Sequence, residues 1–584
     1  MLNGTTTKQQ INNSEDRKYG LASLIAMIVG IVIGAGSFVK NQGIMDTTGS
    51  AAAGYIGWIV AAFMVVCMTI SFVEISSITK NSKETGSLTT WGEKLVGKNF
   101  AKYVGFSFMF IYMPVTIGWL AVYSAEQVIL AVEVSSGVSV TNWTYFLVNT
   151  SIALFFIALF FGANIKSNKF GQNFQRIAAT TLLTSHFIVI GFMMFSGMPS
   201  APEAVNIWNM NGEWNAGLND ESMFSLVLKT MPALMFAFDG FLFSSSLQSE
   251  AKDEKTYKQA LIIGTVIFIV LELLIVYGMF SYGAANSDAN GYDRANYGIV
   301  GVLTYLFGDQ ASWAVPIVIV TILFSILSSL SGMMISATRY LPSMSEQDQI
   351  LDEGGEYLKR NTAGTPQKSA ITLLKVTLVW FVALTALDAI NLHYSIKEHG
   401  TVNYTAVAFD YVSEVAGVTN YVIYSTIMAG AISNRLKNKY ETDRVNSYVW
   451  WPATVLGIII PGLVSMQVIW VTLSGPFVQM ADSTASQADV VASIINAAVV
   501  VIMLPSVPVM IYITNKRVEE APKDVIRKKR VMKKFYHTNE AHPDFGGDTK
   551  EFKKFKEKYK LKKKPKTKEV KVKKKKTKTK DKKS

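Results

Sequence analysis

With 584 residues, 50% of them hydrophobic and only 17% charged, the chain is too apolar for an ordinary soluble protein. Its net charge of +13 is concentrated at one end: residues 515–584 hold 29 Lys and Arg against 10 Asp and Glu, a net of +19, and the preceding 514 residues carry a net of −6. The basic pI therefore belongs to the tail, and the single cysteine, Cys67, excludes an intramolecular disulfide.

Taken in order, the chain opens on a polar segment, 1–19, without the pattern of a cleavable leader. Apolar blocks near twenty residues long follow, the length that crosses a ~30 Å hydrocarbon core at ~1.5 Å per residue. We place twelve, at 20–42, 51–78, 103–132, 144–163, 175–197, 224–248, 258–282, 312–340, 369–390, 405–434, 449–473 and 490–514. The third and tenth are the longest and are expected to tilt or project beyond the bilayer. Connections after spans 2, 4, 6, 8 and 10 are basic, with Lys80, Lys83, Lys94 and Lys98 in the first and Arg435, Lys437, Lys439 and Arg444 in the last. Those after spans 3, 5 and 11 contain no Lys or Arg, and those after 7 and 9 hold only Arg294 and Lys397. Lys40 reads as a charge near the end of span 1, where the connection is short. The alternation predicts twelve membrane helices with both termini cytoplasmic. The acidic stretch Ser200–Ser222 and the polar loop Asn286–Tyr297 then lie outside.

This reading divides the chain into a cytoplasmic N-terminal segment (1–19), a core of helices 1–10 (20–434), helices 11 and 12 (435–514) and a basic cytoplasmic tail (515–584). The tail is lysine-rich and too polar to bury a core, so it is expected to be solvated and to associate with anionic lipid. It has little arginine and few aromatics, and nucleic acid is not an expected partner.

Two of the spans are interrupted. Gly30–Phe38 reads Gly-Ile-Val-Ile-Gly-Ala-Gly-Ser-Phe, and each glycine costs a helix interior ~1 kcal/mol against alanine. In a membrane, freed backbone groups find no water, so a broken helix is tolerated where it lines a cavity. The second interruption, Phe236–Phe241, lies in span 6. Corresponding breaks in two halves of a membrane chain point to the binding site of a secondary transporter. A helix restarting near Ser37 and Phe38 offers unpaired N–H groups to a carboxylate. The span 6 break offers free carbonyls to an ammonium group, and an α-amino acid carries both groups. Close helix packing through small residues is the alternative reading of the same glycines.

Several motifs carry a family resemblance. Ile33-Gly-Ala-Gly-Ser-Phe38 is similar to a Gly-x-Gly-Ile-Phe signature, with Ser37 in place of the usual Ile. Val73-Glu-Ile75 with Thr85-Gly-Ser-Leu88, Phe236–Phe241 followed by Glu250–Ala260, Ser336–Tyr340, and Asn361–Pro366 fall in the same order as that family's remaining motifs. From Tyr19 to Leu436 the chain resembles the amino acid–polyamine–organocation transporter superfamily. The resemblance implies an all-α integral membrane protein with an inverted five-helix repeat, helices 1–5 over 6–10, and helices 1 and 6 unwound at mid-membrane. It implies alternating-access transport of an amino acid across the cell membrane, with substrate at Gly34, Ala35, Gly36, Ser37 and Phe38 and at Ala237, Phe238, Asp239, Gly240 and Phe241.

Coupling is expected to involve a proton or sodium, or else exchange; no organic cofactor is expected. Some relatives place a lysine in helix 5, where this chain has none between Lys169 and Lys229. His186 of span 5 is a candidate proton site, and Gly30, Ile33, Ser328 and Ser329 are candidate sodium ligands; helix-packing roles are the alternative for each. Glu74 and Glu250 read as gate or pairing acids at helix ends, while Glu126 and Glu272 lie deeper, where charge is costly. Asp239 inside a break either favours a cationic substrate or caps and gates the break. A polyamine carrier, an exchanger, or a nutrient receptor signalling through the tail are the competing functions. No nucleotide motif, His/Cys metal spacing or nucleophile setting supports an enzyme.

Overall fold

The computed structural model describes residues 20–33, 36–79, 88–166, 222–243, 251–287, 298–308, 311–347, 365–400, 406–482 and 485–519, with a few single positions or short runs between them. Every element among these is a helix. Nine are long and apolar enough to cross a bilayer, and two shorter apolar helices, Leu21–Gly30 and Met223–Phe238, fall in the interrupted spans. Most of the expected fifth span lies outside the described residues.

The first span is two helices, α1 (Leu21–Val32) and α2 (Gly36–Thr48). The second is α3 (Ala51–Ile75), started by Ser50, whose hydroxyl accepts the Ala53 N–H at 3.1 Å. A short α4 (Leu88–Leu95) precedes α5 (Lys98–Ser107), which passes through a π-helical turn at Phe108–Tyr112 into α6 (Met113–Ser136). Together these last three make one helix of 39 residues, longer than the 103–132 expected. It ends at Gly137, whose φ of 68° is the left-handed stop that glycine accepts without penalty. α7 (Asn142–Lys166) is the fourth span.

The sixth is α8 (Met223–Phe238), capped by Ser222. It is followed by α9 (Glu254–Ser287), α10 (Ile299–Phe307), α11 (Ala311–Ala337), α12 (Tyr340–Glu346) and α13 (Gln367–His399). Last come α14 (Val407–Lys437), α15 (Ser447–Ala481) and α16 (Gln487–Glu519), the last running past the expected end at Thr514.

Burial sorts these helices into inner and outer ones. The joined helix of α5 and α6 is buried over most of its apolar length, whereas α13, α15 and α16 bury only a minority of theirs. What they expose is apolar: Val379 and Val382 on α13, and Met466, Trp470 and Phe477 on α15, with Trp470 73% exposed. Such faces are stable only against lipid, and the chain is a multi-pass membrane protein. Inside that shell α1 packs on α9 and α11, α3 on α8, α2 on α8, and α6 along α11. α14 lies against α8, α6 and α15. Both interrupted spans therefore sit at the centre.

Candidate functional site

The two interruptions meet. A Cβ built on Gly36, the first residue of α2, would stand 2.8 Å from the Cβ of Ala237 and 3.0 Å from its Cα. Only glycine permits that approach without a shift of backbone. α1 stops at Val32, with the Ile33 N–H bonded back to the Val29 carbonyl at 2.8 Å. α8 stops at Phe238: Asp239 is extended, with φ −68° and ψ 156°, and Gly240 has φ 105°, a conformation that side-chain-bearing residues resist. Its terminal N–H returns to the Phe236 carbonyl at 3.2 Å. Beyond it the backbone turns tightly, Phe243 N–H to Gly240 O and Ser245 N–H to Leu242 O, both at 2.9 Å.

This places an N-terminus of α2 and a C-terminus of α8 side by side. The first turn of a helix leaves N–H groups without intrahelical partners and a positive dipole end; the last turn leaves carbonyls and a negative end. Aromatic rings wall the junction. Phe238 and Phe241 are fully buried, Trp58 meets Phe238 edge-on at 5.2 Å, and the Trp58 indole N–H donates to Asn41 Oδ1 at 3.0 Å.

Asp239 is held from three directions. Its Oδ2 accepts from Asn420 Nδ2 at 2.7 Å, and its Oδ1 accepts from the Tyr424 hydroxyl at 2.9 Å and from the Gly240 N–H at 2.8 Å. The Tyr112 hydroxyl bonds it as well. A buried carboxylate so supplied with neutral donors is a hub tying the break to α14 and to the π-helical turn. The sequence leaves Asp239 open as cap, gate or selector of a cationic substrate; to these the structure adds its bonds to Asn420 and Tyr424 of α14.

The candidate sodium ligands fall where α1 crosses α11. Ser329 Oγ donates to the Gly30 carbonyl at 3.1 Å, and Ser325 Oγ, which sequence reasoning missed, donates to the Ile33 carbonyl at 3.1 Å. Ser325 stands one helical turn before Ser329, so the spacing was the signal that could have found it. Ser328 is fully buried and its hydroxyl has no hydrogen-bond partner among the described residues.

Glu74 is buried at the end of α3. It accepts the Val445 N–H at 2.9 Å and lies 3.5 Å from Arg435, which stacks over Trp450 at 4.3 Å. It clamps the connection between α14 and α15 and sits away from the breaks. Glu272 is buried on α9, and Glu126 is half-buried on α6 near Asp410. Gly34, Ala35, His186, Glu250 and the side chains of Ser37 and Phe38 lie outside the described residues. Lys40, read from the sequence as connection charge, is instead 2% exposed, with its ammonium 5.2 Å from the centre of the Phe236 ring. Its position one turn inside α2, where its acidic partners are 370 residues away in the chain, gave hydropathy no means of finding it.

A family model described as amino acid permease matches residues 19–504. A serine/threonine exchanger of Bacillus subtilis is 24% identical over 340 residues, covering 58% of this chain and 70% of the exchanger. Amino acid transporter protein 6 of Caenorhabditis elegans is 23% identical over 356 residues, 58% of this chain and 61% of that protein. An uncharacterized protein of Mycoplasma pneumoniae is 20% identical over 508 residues, 79% of this chain and 85% of its own length.

Proposed function

The chain belongs to the amino acid permease family, and from that premise we propose that it carries an amino acid across the cell membrane by alternating access, holding it between the two breaks. The observation that carries this reading is the contact of Gly36 with Ala237, which brings a helix start and a helix end together in a buried, aromatic-walled place. The α-carboxylate binds at the N-terminus of α2, and the α-ammonium binds the carbonyls at the end of α8. Because the Asp239 oxygens already accept from Asn420, Tyr424 and Gly240, they are taken up as direct partners for a cationic side chain, and a neutral amino acid is the proposed substrate class. It is not an enzyme.

The proposed architecture is twelve helices with both termini cytoplasmic and an inverted repeat of helices 1–5 over 6–10. Packing supports the repeat. Exchanging helix 1 with 6 and helix 2 with 7 turns the α1–α9 contact into the α3–α8 contact, and both are extensive. The same operation maps the α6–α13 contact onto α7–α11 and the α6–α11 contact onto itself; these too are present.

Exchange is the proposed mode, in keeping with the exchanger among the similar proteins. A sodium-driven mode is the second reading, favoured by Ser325 and Ser329 set against the Ile33 and Gly30 carbonyls. Uptake of labelled neutral amino acids into liposomes holding the purified chain separates them. Exchange requires unlabelled amino acid inside, and a sodium-driven carrier fills empty liposomes under an inward sodium gradient. No uptake in either arm would refute the transport reading.

A further inference from the structure

Two helices bring their basic ends together at one rim of the molecule. α5 starts at Lys98, and Lys102, one turn on, donates to Asn515 Oδ1 of α16 at 2.5 Å. The helices run antiparallel: inward from that bond α5 advances to Ser107 while α16 counts back to Val507 and Met503, and these residues line one cleft. Lys98 is therefore level with the last turn of α16, which carries Lys516 and Arg517 beside the acid Glu519. Lys98, Lys516 and Arg517 are exposed and Lys102 is half-buried. Tyr512, one turn before Lys516 on the same face, is 70% exposed, as aromatic residues are at the headgroup level of a membrane.

The cleft leads from this rim into the apolar body. Tyr103 and Ile111 form one wall, Thr419 of α14 the second, and Met503 and Val507 of α16 the third. It encloses about 10 Å³ within about 270 Å³ of empty space that includes its open side, so it seats a slender chain lying along it and no compact guest. At its mouth Thr419 is half-buried, Val422 three residues on along α14 is 41% exposed, and Ile502 of α16 is 67% exposed. Those apolar neighbours face lipid, so the cleft opens to the bilayer.

Charge and shape together commit the occupant. Four cations at the rim call for an anion, and the chain's own lysine-rich tail is excluded because it carries the same sign. An acidic protein segment would match the rim but not the cleft, which lies within the apolar spans. A molecule anionic at one end and aliphatic at the other matches both. We propose that the rim and cleft bind one anionic phospholipid, its phosphate among Lys98, Lys102, Lys516 and Arg517 and one acyl chain along the cleft between α5, α14 and α16. Lys102 has three N–H donors and its bond to Asn515 uses one, so the phosphate is added without breaking the contact between α5 and α16. Tyr112 of the π-helical turn also lines the cleft, and its hydroxyl bonds Asp239, so the acyl chain rests against a residue that tethers the sixth-span break. In the proposed topology this lipid belongs to the cytoplasmic leaflet.

Phosphatidylglycerol with a photoreactive diazirine in one acyl chain tests this in nanodiscs holding the full-length chain, the labelled peptides being mapped by mass spectrometry. The expected result is labelling concentrated on 103–112 and 503–507, displaced by excess unlabelled phosphatidylglycerol and not by phosphatidylcholine. With Lys98→Gln, Lys102→Gln, Lys516→Gln and Arg517→Gln combined, labelling there falls at least about fivefold, while labelling around the lipid-facing Trp470 of α15 stays the same. This variant keeps the basic tail, so the loss reports the rim alone. Met503→Trp fills the cleft, leaves the rim charges in place and removes the label from the same peptides. Equal labelling by a diazirine phosphatidylcholine would overturn the proposal, as would a wild-type chain unlabelled in the cleft or labelling unchanged in the charge variant. If Met503→Trp does not yield folded protein, the charge variant, altered only at the rim, carries the same test. Labelling is read without transport, so an inactive wild-type chain in liposomes refutes the proposed function and leaves this result standing.

Discussion

Asp239 shows how much a single side chain depends on partners far away in sequence. Asn420 and Tyr424 reach it from α14, 181 and 185 residues on, and their donors leave the carboxylate committed to the fold. Asp239→Asn keeps one acceptor oxygen but turns the other side of the group into a donor facing Asn420 or Tyr424. We expect transport to fall several-fold for every substrate, with the ratio of cationic to neutral amino acid uptake unchanged. A selective loss of cationic uptake in that variant would show that the charge selects substrate. That Asp239 lies in a break is legible in Phe-Ala-Phe-Asp-Gly-Phe; that it is a tether is not, because no local pattern reports a partner on another helix. The same limit hid Lys40, which the sequence shows only as a charge near the end of span 1.

At the scale of elements, apolar length against bilayer thickness locates the described helices well, since lipid exposure forces each crossing helix to be long and apolar. Helix ends are less legible. The third span begins at Lys98 because α5 and α6 join through a π-helical turn, and the charged residues at its start sit where periodicity carries no boundary. Connections are the least legible elements. The one between α14 and α15 is held by Glu74 and Arg435, and by Ser77, whose hydroxyl accepts the Asp443 N–H at 2.9 Å. Glu74→Ala leaves the Arg435 guanidinium buried without its carboxylate, a loss of about 3–5 kcal/mol in comparable buried pairs. We expect a thermal midpoint several degrees lower in detergent, with Glu74→Gln intermediate because it retains an acceptor for Val445. An unchanged midpoint for Glu74→Ala would mean the clamp contributes nothing to stability.

For the whole molecule, composition already separates an apolar body from a basic tail. Truncation after Glu519 removes only residues beyond α16 and is expected to leave insertion and transport intact while weakening, in a salt-sensitive way, binding to anionic vesicles. Loss of folded protein would show that the tail packs on the body. Tags placed before Tyr19 and after Ser584 are expected to be reached only from the cytoplasmic side, and a tag found outside would break the twelve-helix topology. The central claim is that the two breaks together form the substrate site, and Gly36 tests it most directly. A methyl group there must push Ala237 away, about 1–3 kcal/mol of overpacking at one point of the molecule. In liposomes, Gly36→Ala is predicted to lower amino acid uptake at least about tenfold while the chain stays folded, and adding Ala237→Gly is predicted to restore most of it. Wild-type uptake by Gly36→Ala would contradict the account.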